Sequence, residues 1–300
     1  AHNRNCALQH AQGKTDYVLI FDADDRFEGN FVLPEELTSD RYYFRMANSV
    51  TGANVYFRTL MFRNDGSFYW RGVLHEFVEQ RKKTVVEQKI FGDYYVISGR
   101  FGARSNNPQK YLQDALTLEK AFYSPEDEDL KDRYAFYTAQ SYRDADMYEK
   151  AIEWYAIRAN LGGWSEEVYY SFLQIALLKI ELNASLNEIQ NLLLSTYEYR
   201  PQRAESLYHL ARQLRHHNKA RLAYIYATVA ANIPLSKDIL FVDHAVYEWK
   251  AKEELAMSAN SVGNYQLCHD LCIELLFNPA VPEPNRKLLL DNLKLAKEHF

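Results

Sequence analysis

The hydrophobic pattern divides the chain into two parts with different secondary structure. Up to about residue 100, short apolar or alternating runs lie between clusters of Asn, Asp and Gly, a pattern typical of β-strands joined by turns. A helix over Asn5–Ala11 precedes these runs and ends at Gly13. The predicted strands are Tyr17–Phe21, Arg41–Met46, Val55–Arg63, Phe68–Trp70, Phe77–Gln80 and Lys89–Ile97.

Turn signals in this first part indicate how the strands are joined. Asn64-Asp65-Gly66 is a strong tight-turn signal between two strands, and Thr51-Gly52-Ala53-Asn54 separates two others. Phe77–Gln80 and Lys89–Ile97 are expected to form a further strand pair. The first part is therefore predicted to be α/β or α+β.

From about Ser105 to Phe300 the pattern is helical. Ser124-Pro125 predicts a helix start, and helical pairs are expected to break near Asn183, before Pro234 and at Gly263. The pairs recur roughly every 34 to 42 residues, which indicates internal repeats.

The repeats resemble degenerate tetratricopeptide repeats. The best match runs from Ala139 to Tyr155, where Tyr142, Tyr148 and Ala151 occupy the positions at which such repeats place packing residues. Because each helical pair buries its apolar face only against its neighbours, this part is predicted to stack into a curved array.

Composition excludes several classes of function. The 300 residues carry a net charge of −5, so no overall basic field attracts nucleic acid or anionic lipid. The three cysteines form no disulfide framework, which indicates a reducing compartment, and a cytoplasmic location is expected. Cys268 and Cys272 are interpreted as buried helix residues and not as metal ligands. No apolar run reaches the 18 or so residues that span a bilayer.

An acidic cluster follows the first predicted strand. Five apolar or aromatic residues, Tyr17–Phe21, end in Asp22-Ala23-Asp24-Asp25. A buried carboxylate is costly unless it is paired or bound to a metal, and oxygen ligands of this kind suit Mg²⁺ or Mn²⁺. The alternative is an acidic turn after a strand.

Three motifs in a fixed order carry a family resemblance. They are Arg4-Asn5-Cys6-Ala7, Asp22-Ala23-Asp24-Asp25 and Trp70-Arg71-Gly72-Val73-Leu74-His75-Glu76. Together they resemble family 2 glycosyltransferases of the GT-A fold, most of all the branch that carries tetratricopeptide-like helices. The resemblance implies an α/β plus all-α chain, with a partial GT-A-type mixed sheet over residues 1–104 and a helical-hairpin array over residues 105–300.

The resemblance also implies a chemistry. Such enzymes move a sugar from a nucleotide-diphosphate donor to an acceptor hydroxyl with inversion, and Mn²⁺ or Mg²⁺ stabilises the departing diphosphate. Asp24 would bind the metal, and Asp22 the ribose or the metal. Arg4 and Asn5 would contact the diphosphate, although Arg4 is equally well explained as a surface residue.

The third motif would supply the remaining groups. Glu76, or else His75, would act as general base on the acceptor hydroxyl. His75 could instead be the third ligand of the metal, after Asp22 and Asp24. A further alternative is that His75 and Glu76 only cap a strand. Trp70 would form a platform for the acceptor sugar or belong to the core.

The implied partners are a nucleotide-sugar donor and an acceptor that is a glycan, a lipid-linked glycan or a protein. Family members begin with a nucleotide-binding βαβ portion that the given residues do not include, so we expect either a piece of a longer protein or a remnant of such an enzyme. The alternative interpretation is therefore a non-catalytic helical-repeat adaptor that carries a vestigial glycosyltransferase domain and binds a protein along its helices. Nucleic acid is not expected as a partner in either case.

Overall fold

The computed structural model describes residues 1–47, 56–99 and 107–299. The chain forms two compact units, Ala1–Ala145 and Asp146–Phe300. The predicted domain boundary between residues 104 and 105 lies outside the described residues. The predicted turn at Thr51-Gly52-Ala53-Asn54 and the predicted strand start at Val55 lie outside them as well.

The first unit combines strands with helices. Its helices are α1 (His2–Ala11), α2 (Lys110–Phe122) and α3 (Lys131–Asp144), with a 3₁₀ segment at Pro125–Leu130. Its strands are β1 (Tyr17–Leu19), β2 (Arg26–Gly29), β3 (Arg41–Ala47), β4 (Tyr56–Arg63), β5 (Phe68–Arg71), β6 (Phe77–Gln80), β7 (Glu87–Lys89) and β8 (Tyr94–Ile97).

The strands form two separate sheets. The larger sheet has the order β1-β4-β3-β8-β2, and β7 also pairs with β3. β3 runs parallel to β7 and β8, whereas the β1–β4, β3–β4 and β2–β8 pairs are antiparallel. β5 and β6 form an antiparallel two-stranded sheet of their own. The mixed sheet agrees with the predicted α/β character, while the GT-A assignment stays a prediction.

One predicted strand pairing is wrong, and one predicted strand is divided in two. The strand expected over Lys89–Ile97 is two strands, interrupted at Gly92, and both pair with β3. Consequently β6 pairs with β5 and not with that segment. The Asn64-Asp65-Gly66 turn is present, but it leads from one sheet into the other and does not close a hairpin. Strand β2 was not predicted.

An aromatic core covers one face of the larger sheet. Tyr42, Phe44 and Met46 alternate along β3 and are fully buried. The rings of Phe27 and Phe31 stack 4.5 Å apart and pack on this face. The alternation of buried and half-buried residues along β3 is that of a strand with one covered face.

The small sheet packs on the α2–α3 hairpin. Leu74 and Phe77 contact a cluster formed by Leu118, Ala121, Leu130 and Tyr134. Arg71 on β5 binds Asp129 at 2.7 Å through two nitrogens and also reaches Asp127 and Glu79. These hydrogen bonds raise the pKa of Arg71 above its ordinary value. Helices α2 and α3, which the sequence pattern assigns to the repeat array, therefore belong to the first compact unit.

The second unit is helical. Its helices are α4 (Tyr148–Leu161), α5 (Ser165–Glu181), α6 (Leu186–Tyr199), α7 (Glu205–His216), α8 (Ala220–Asn232), α9 (Ala251–Ser261), α10 (Tyr265–Leu276) and α11 (Glu283–Lys297), with a π-helical turn at Val246–Lys250 before α9. Helices that follow one another in the sequence pack side by side. The predicted breaks at Asn183 and Gly263 are confirmed, and both residues have positive φ, +54° and +82°.

A buried ion pair lies at the centre of this unit. Arg203 is fully buried and Glu205 is 2% exposed; Arg203 Nη2 lies 2.7 Å from Glu205 Oε1. The guanidinium sits 4.6 Å over the ring of Tyr169, and Tyr247 donates its hydroxyl to Glu205 at 2.9 Å. Burial opposes the charge of Arg203, but the hydrogen bonds and charge of Glu205 outweigh it and raise the pKa of Arg203.

The same pair holds the segment between α8 and the π-helical turn. Arg203 donates to the carbonyls of Leu240 (3.3 Å) and Phe241 (3.1 Å), and Glu205 accepts from the backbone N–H of Asp243 at 3.2 Å. The segment is therefore fixed to the start of α7 by buried charges.

Replacing Arg203 by Met should lower the free energy of unfolding by about 3–5 kcal/mol, because it leaves the Glu205 carboxylate buried without its cation. Urea unfolding followed by circular dichroism measures the loss. Arg212→Met on the exposed side of α7 is the matched control, with an expected change within about 0.5 kcal/mol. Equal stabilities of the two variants would contradict the central role of the pair.

Candidate functional site

Arg4 joins three elements of the first unit. Its Nη2 lies 2.7 Å from Asp22 Oδ1, and its Nε lies 2.9 Å from Glu76 Oε2. The guanidinium carbon is 4.5 Å from the centre of the Trp70 ring. Since a guanidinium binds carboxylates with several directed hydrogen bonds, Arg4 links α1 to the end of β1 and to the turn before β6.

Asn5 fastens α1 to β5. Its side-chain amide donates to the carbonyl of Trp70 at 2.8 Å, and its side-chain carbonyl accepts from the Trp70 N–H at 2.7 Å. Arg4, Asn5, Asp22, Trp70 and Glu76 are called the Arg4 cluster below. The structure thus brings together four of the predicted site residues around Trp70.

Cations already neutralise Asp22. Besides Arg4, Nη2 of Arg58 on β4 lies 3.9 Å from its second oxygen. The two positive charges beside Asp22 repel a divalent cation and therefore weaken metal binding at this carboxylate. Arg58 was not singled out from the sequence, because a single Arg within a strand carries no signal of its own.

The acidic motif forms a turn between β1 and β2. The carbonyl of Asp22 accepts from the backbone N–H of Asp25 at 3.0 Å. Both carboxylate oxygens of Asp25 are buried without a hydrogen-bond partner among the described residues. A Cβ on Gly99 would lie 2.2 Å from the carbonyl oxygen of Asp24, so only Gly allows this approach. The turn interpretation describes the backbone of this motif well.

His75 lies apart from the acidic turn, against α3. Its ring stacks on Tyr137 with centroids 3.9 Å apart and an 8° angle between planes. Its carbonyl accepts from Arg133 at 2.6 Å, and its φ is +50°. His75 therefore contributes to the packing of the small sheet on the helices.

The predicted metal ligands do not converge in the described part of the chain. Within residues 1–47, 56–99 and 107–299, no group of three or more His, Cys, Asp or Glu side chains is placed to hold a metal ion. Asp22 is paired with arginines and His75 with Tyr137, so these residues do not fit a preformed site for Mn²⁺ or Mg²⁺.

A second candidate site is an apolar groove in the second unit. Phe172 and Ile175 of α5 form one wall, and the other wall comes from α6. The α6 residues are Leu192, Ser195, Thr196, Glu198 and Tyr199. This α5–α6 groove encloses about 410 Å³, and Tyr199 is 43% exposed beside it. Sequence reasoning missed the groove, since its walls have the same helical period as the core.

Comparisons with known proteins identify no family. No protein-family model and no curated protein matches the chain. Three solved structures match part of the chain. MamA AMB-1 is 15% identical, with 63% of this chain and 89% of that chain covered and a TM-score of 0.37. The Podosopora anserina putative kinesin light chain with nearly identical TPR-like repeats is 14% identical, with coverages of 65% of this chain and 88% of that chain and a TM-score of 0.38, and BtubC from P. vanneervenii is 16% identical, with coverages of 63% and 72% and a TM-score of 0.42. TM-scores of 0.37 to 0.42 do not establish that these proteins share a fold with this chain.

Within the described residues, none of the helices combines the length and the apolar character needed to cross a bilayer. All three cysteines are free thiols, with Cys268 and Cys272 buried in α10.

Asn5→Ala should reduce the free energy of unfolding by about 1–3 kcal/mol, because it removes both hydrogen bonds to the Trp70 backbone and leaves those groups partly buried without partners. Chemical unfolding monitored by tryptophan fluorescence measures the change. Asn3→Ala, at an exposed position in the same helix, serves as control. If the two variants are equally stable, Asn5 does not hold α1 on β5.

Proposed function

We propose that the chain is a helical-repeat adaptor that binds another protein along its second unit. The observation that carries the proposal is the α5–α6 groove, in which Tyr199 is exposed and Phe172 and Leu192 are half-buried between two packed helices. Apolar side chains at helical spacing in a groove are the means by which helical scaffolds bind peptide segments.

The chemistry of the groove suggests the kind of segment it takes. Its walls are mainly aliphatic and aromatic, so the burial of apolar side chains would supply most of the free energy of binding. Glu198 is an exposed carboxylate at the rim. A segment with apolar anchors and a nearby Lys or Arg therefore fits the groove best.

The first unit supports a binding role more than a catalytic one. The residues that resemble catalytic groups are occupied: Asp22 and Glu76 bind Arg4, and His75 stacks on Tyr137. A sheet domain whose motif residues hold the fold together is consistent with a vestigial glycosyltransferase domain.

Selection of random peptides on the intact chain tests the proposal. We expect the selected peptides to carry apolar anchors beside a basic residue, and we expect Ser195→Trp, which fills the groove, to weaken their binding by at least about tenfold in fluorescence anisotropy. Asn187→Trp, at an exposed position of α6 outside the groove, should bind as the wild type does. Peptides that bind both variants equally would refute a groove function.

A second candidate is the glycosyltransferase reaction, which the Arg4 cluster favours because it gathers Arg4, Asn5, Asp22 and Glu76 in one place. There the guanidinium of Arg4 suits a diphosphate, and Glu76 suits the role of general base toward an acceptor hydroxyl. In both roles the ligand competes with the present ion pairs of Arg4 to Asp22 and Glu76. Asp24 has no protein partner among the described residues and remains the metal ligand that the resemblance implies.

Thermal unfolding with UDP or GDP, each with and without Mn²⁺, tests this candidate. A nucleotide that binds the folded chain should raise Tm, with the larger rise in the presence of Mn²⁺, and Asp24→Asn should abolish the Mn²⁺-dependent part. Asp16→Asn, an exposed residue before β1, is the control. No rise with either nucleotide, or the same rise in Asp24→Asn, would count against a transferase site.

A further inference from the structure

The segment between α8 and the π-helical turn presents apolar side chains to water. Ile239 is 83% exposed, and Leu235 and Phe241 are each 51% exposed. Lys237 lies between them and is exposed as well. Ile239, Phe241 and Lys237 are called the loop tip below. Exposed apolar residues that stand close together commonly mark an interaction surface.

Partly buried charged side chains hold the backbone of this loop tip. One carboxylate oxygen of Glu166 accepts from the N–H groups of both Ile239 and Leu240 at 2.8 Å. Asp238 binds Arg200 through two hydrogen bonds of 2.6 and 2.5 Å. Phe241 has a φ of +45°, a conformation that an aromatic residue keeps only when its surroundings impose it. The tip is thus preorganised, which lowers the entropic cost of binding.

The loop tip and the α5–α6 groove lie on opposite sides of α5. Glu166 and Tyr170 face the loop, whose Phe241 ring lies 4.8 Å from that of Tyr170. Ile175 lines the groove and follows Glu166 by nine residues, about two and a half helical turns. A loop tip on one side of α5 therefore cannot fill the groove on the other side of the same copy.

We propose that the α5–α6 groove receives the loop tip of a second copy of this chain. The apolar tip matches the apolar walls, and Lys237 matches Glu198 at the rim. Each of these two charges lacks a partner within a single copy, as far as the described residues extend. This inference rests on the proposed function, since it names the partner of the groove. Because tip and groove are different surfaces on opposite sides, the contact is head-to-tail and would extend into rings or open chains.

Light scattering coupled to size-exclusion chromatography, at micromolar to millimolar concentrations of the intact chain, measures the association. The molecular mass should rise with concentration. Ile239→Asp should weaken association by about tenfold or more, because a charge replaces the buried side chain. Phe277→Asp, at a residue that is 85% exposed at the end of α10, is the matched control and should associate normally.

Charge reversal gives a second readout that a folding defect cannot imitate. Lys237→Glu and Glu198→Lys should each weaken association by about three- to tenfold, in keeping with an exposed ion pair. Their equimolar mixture, and the double variant Lys237→Glu/Glu198→Lys, should regain it. Failure of both to regain association would overturn the pairing of these residues.

A chain that stays monomeric at every concentration would overturn the inference. If Ser195→Trp then still abolished peptide binding, the groove would bind a different protein and the proposed function would stand. If Ser195→Trp affected neither peptide binding nor association, the proposed function would fail as well.

Discussion

The arrangement of the second unit depends on the burial of one guanidinium group. Moving Arg203 out of water is costly, and the cost is offset only if every donor finds an acceptor. Those acceptors come from the start of α7 and from the segment after α8, and the ring of Tyr169 in α5 covers the guanidinium face. Segments far apart in sequence must therefore take up their positions together. A hydrophobic core alone would leave the loop before the π-helical turn free to move.

Arginines have a similar connecting role in the first unit, but at half-exposed positions. Arg4 joins α1 to the acidic turn and to Glu76, and Arg71 joins β5 to the segment before α3. Both belong to motifs that resemble a glycosyltransferase. Their present hydrogen bonds explain why the motifs hold the structure together, and a catalytic role would require those bonds to be exchanged for bonds to a ligand.

Local features of the fold were predictable from the sequence, whereas strand partners were not. β6 has its predicted bounds, and the break at Asn183 follows from the tolerance of Asn for positive φ. The predicted partner of β6 is wrong because the hydrophobic pattern locates strands but does not say which of its neighbours in the sequence a strand pairs with. Likewise the motifs predicted that Arg4, Asn5, Asp22 and Glu76 belong together, but nothing in the sequence indicated that Tyr137, far along the chain, would stack on His75.

The two units differ in the surface that they offer to a ligand. In the first unit this surface is formed by paired polar groups, and in the second it is apolar. In the first unit the motif groups Asp22, Glu76 and His75 bind protein partners, so a ligand would have to compete with existing contacts. In the second unit the exposed surface of the groove and the loop tip is apolar, and a ligand could cover it without breaking an ion pair there. A site that needs no rearrangement binds with less cost than one that must first break ion pairs. The balance of these costs, and not the presence of motif residues, favours protein binding as the activity of this chain.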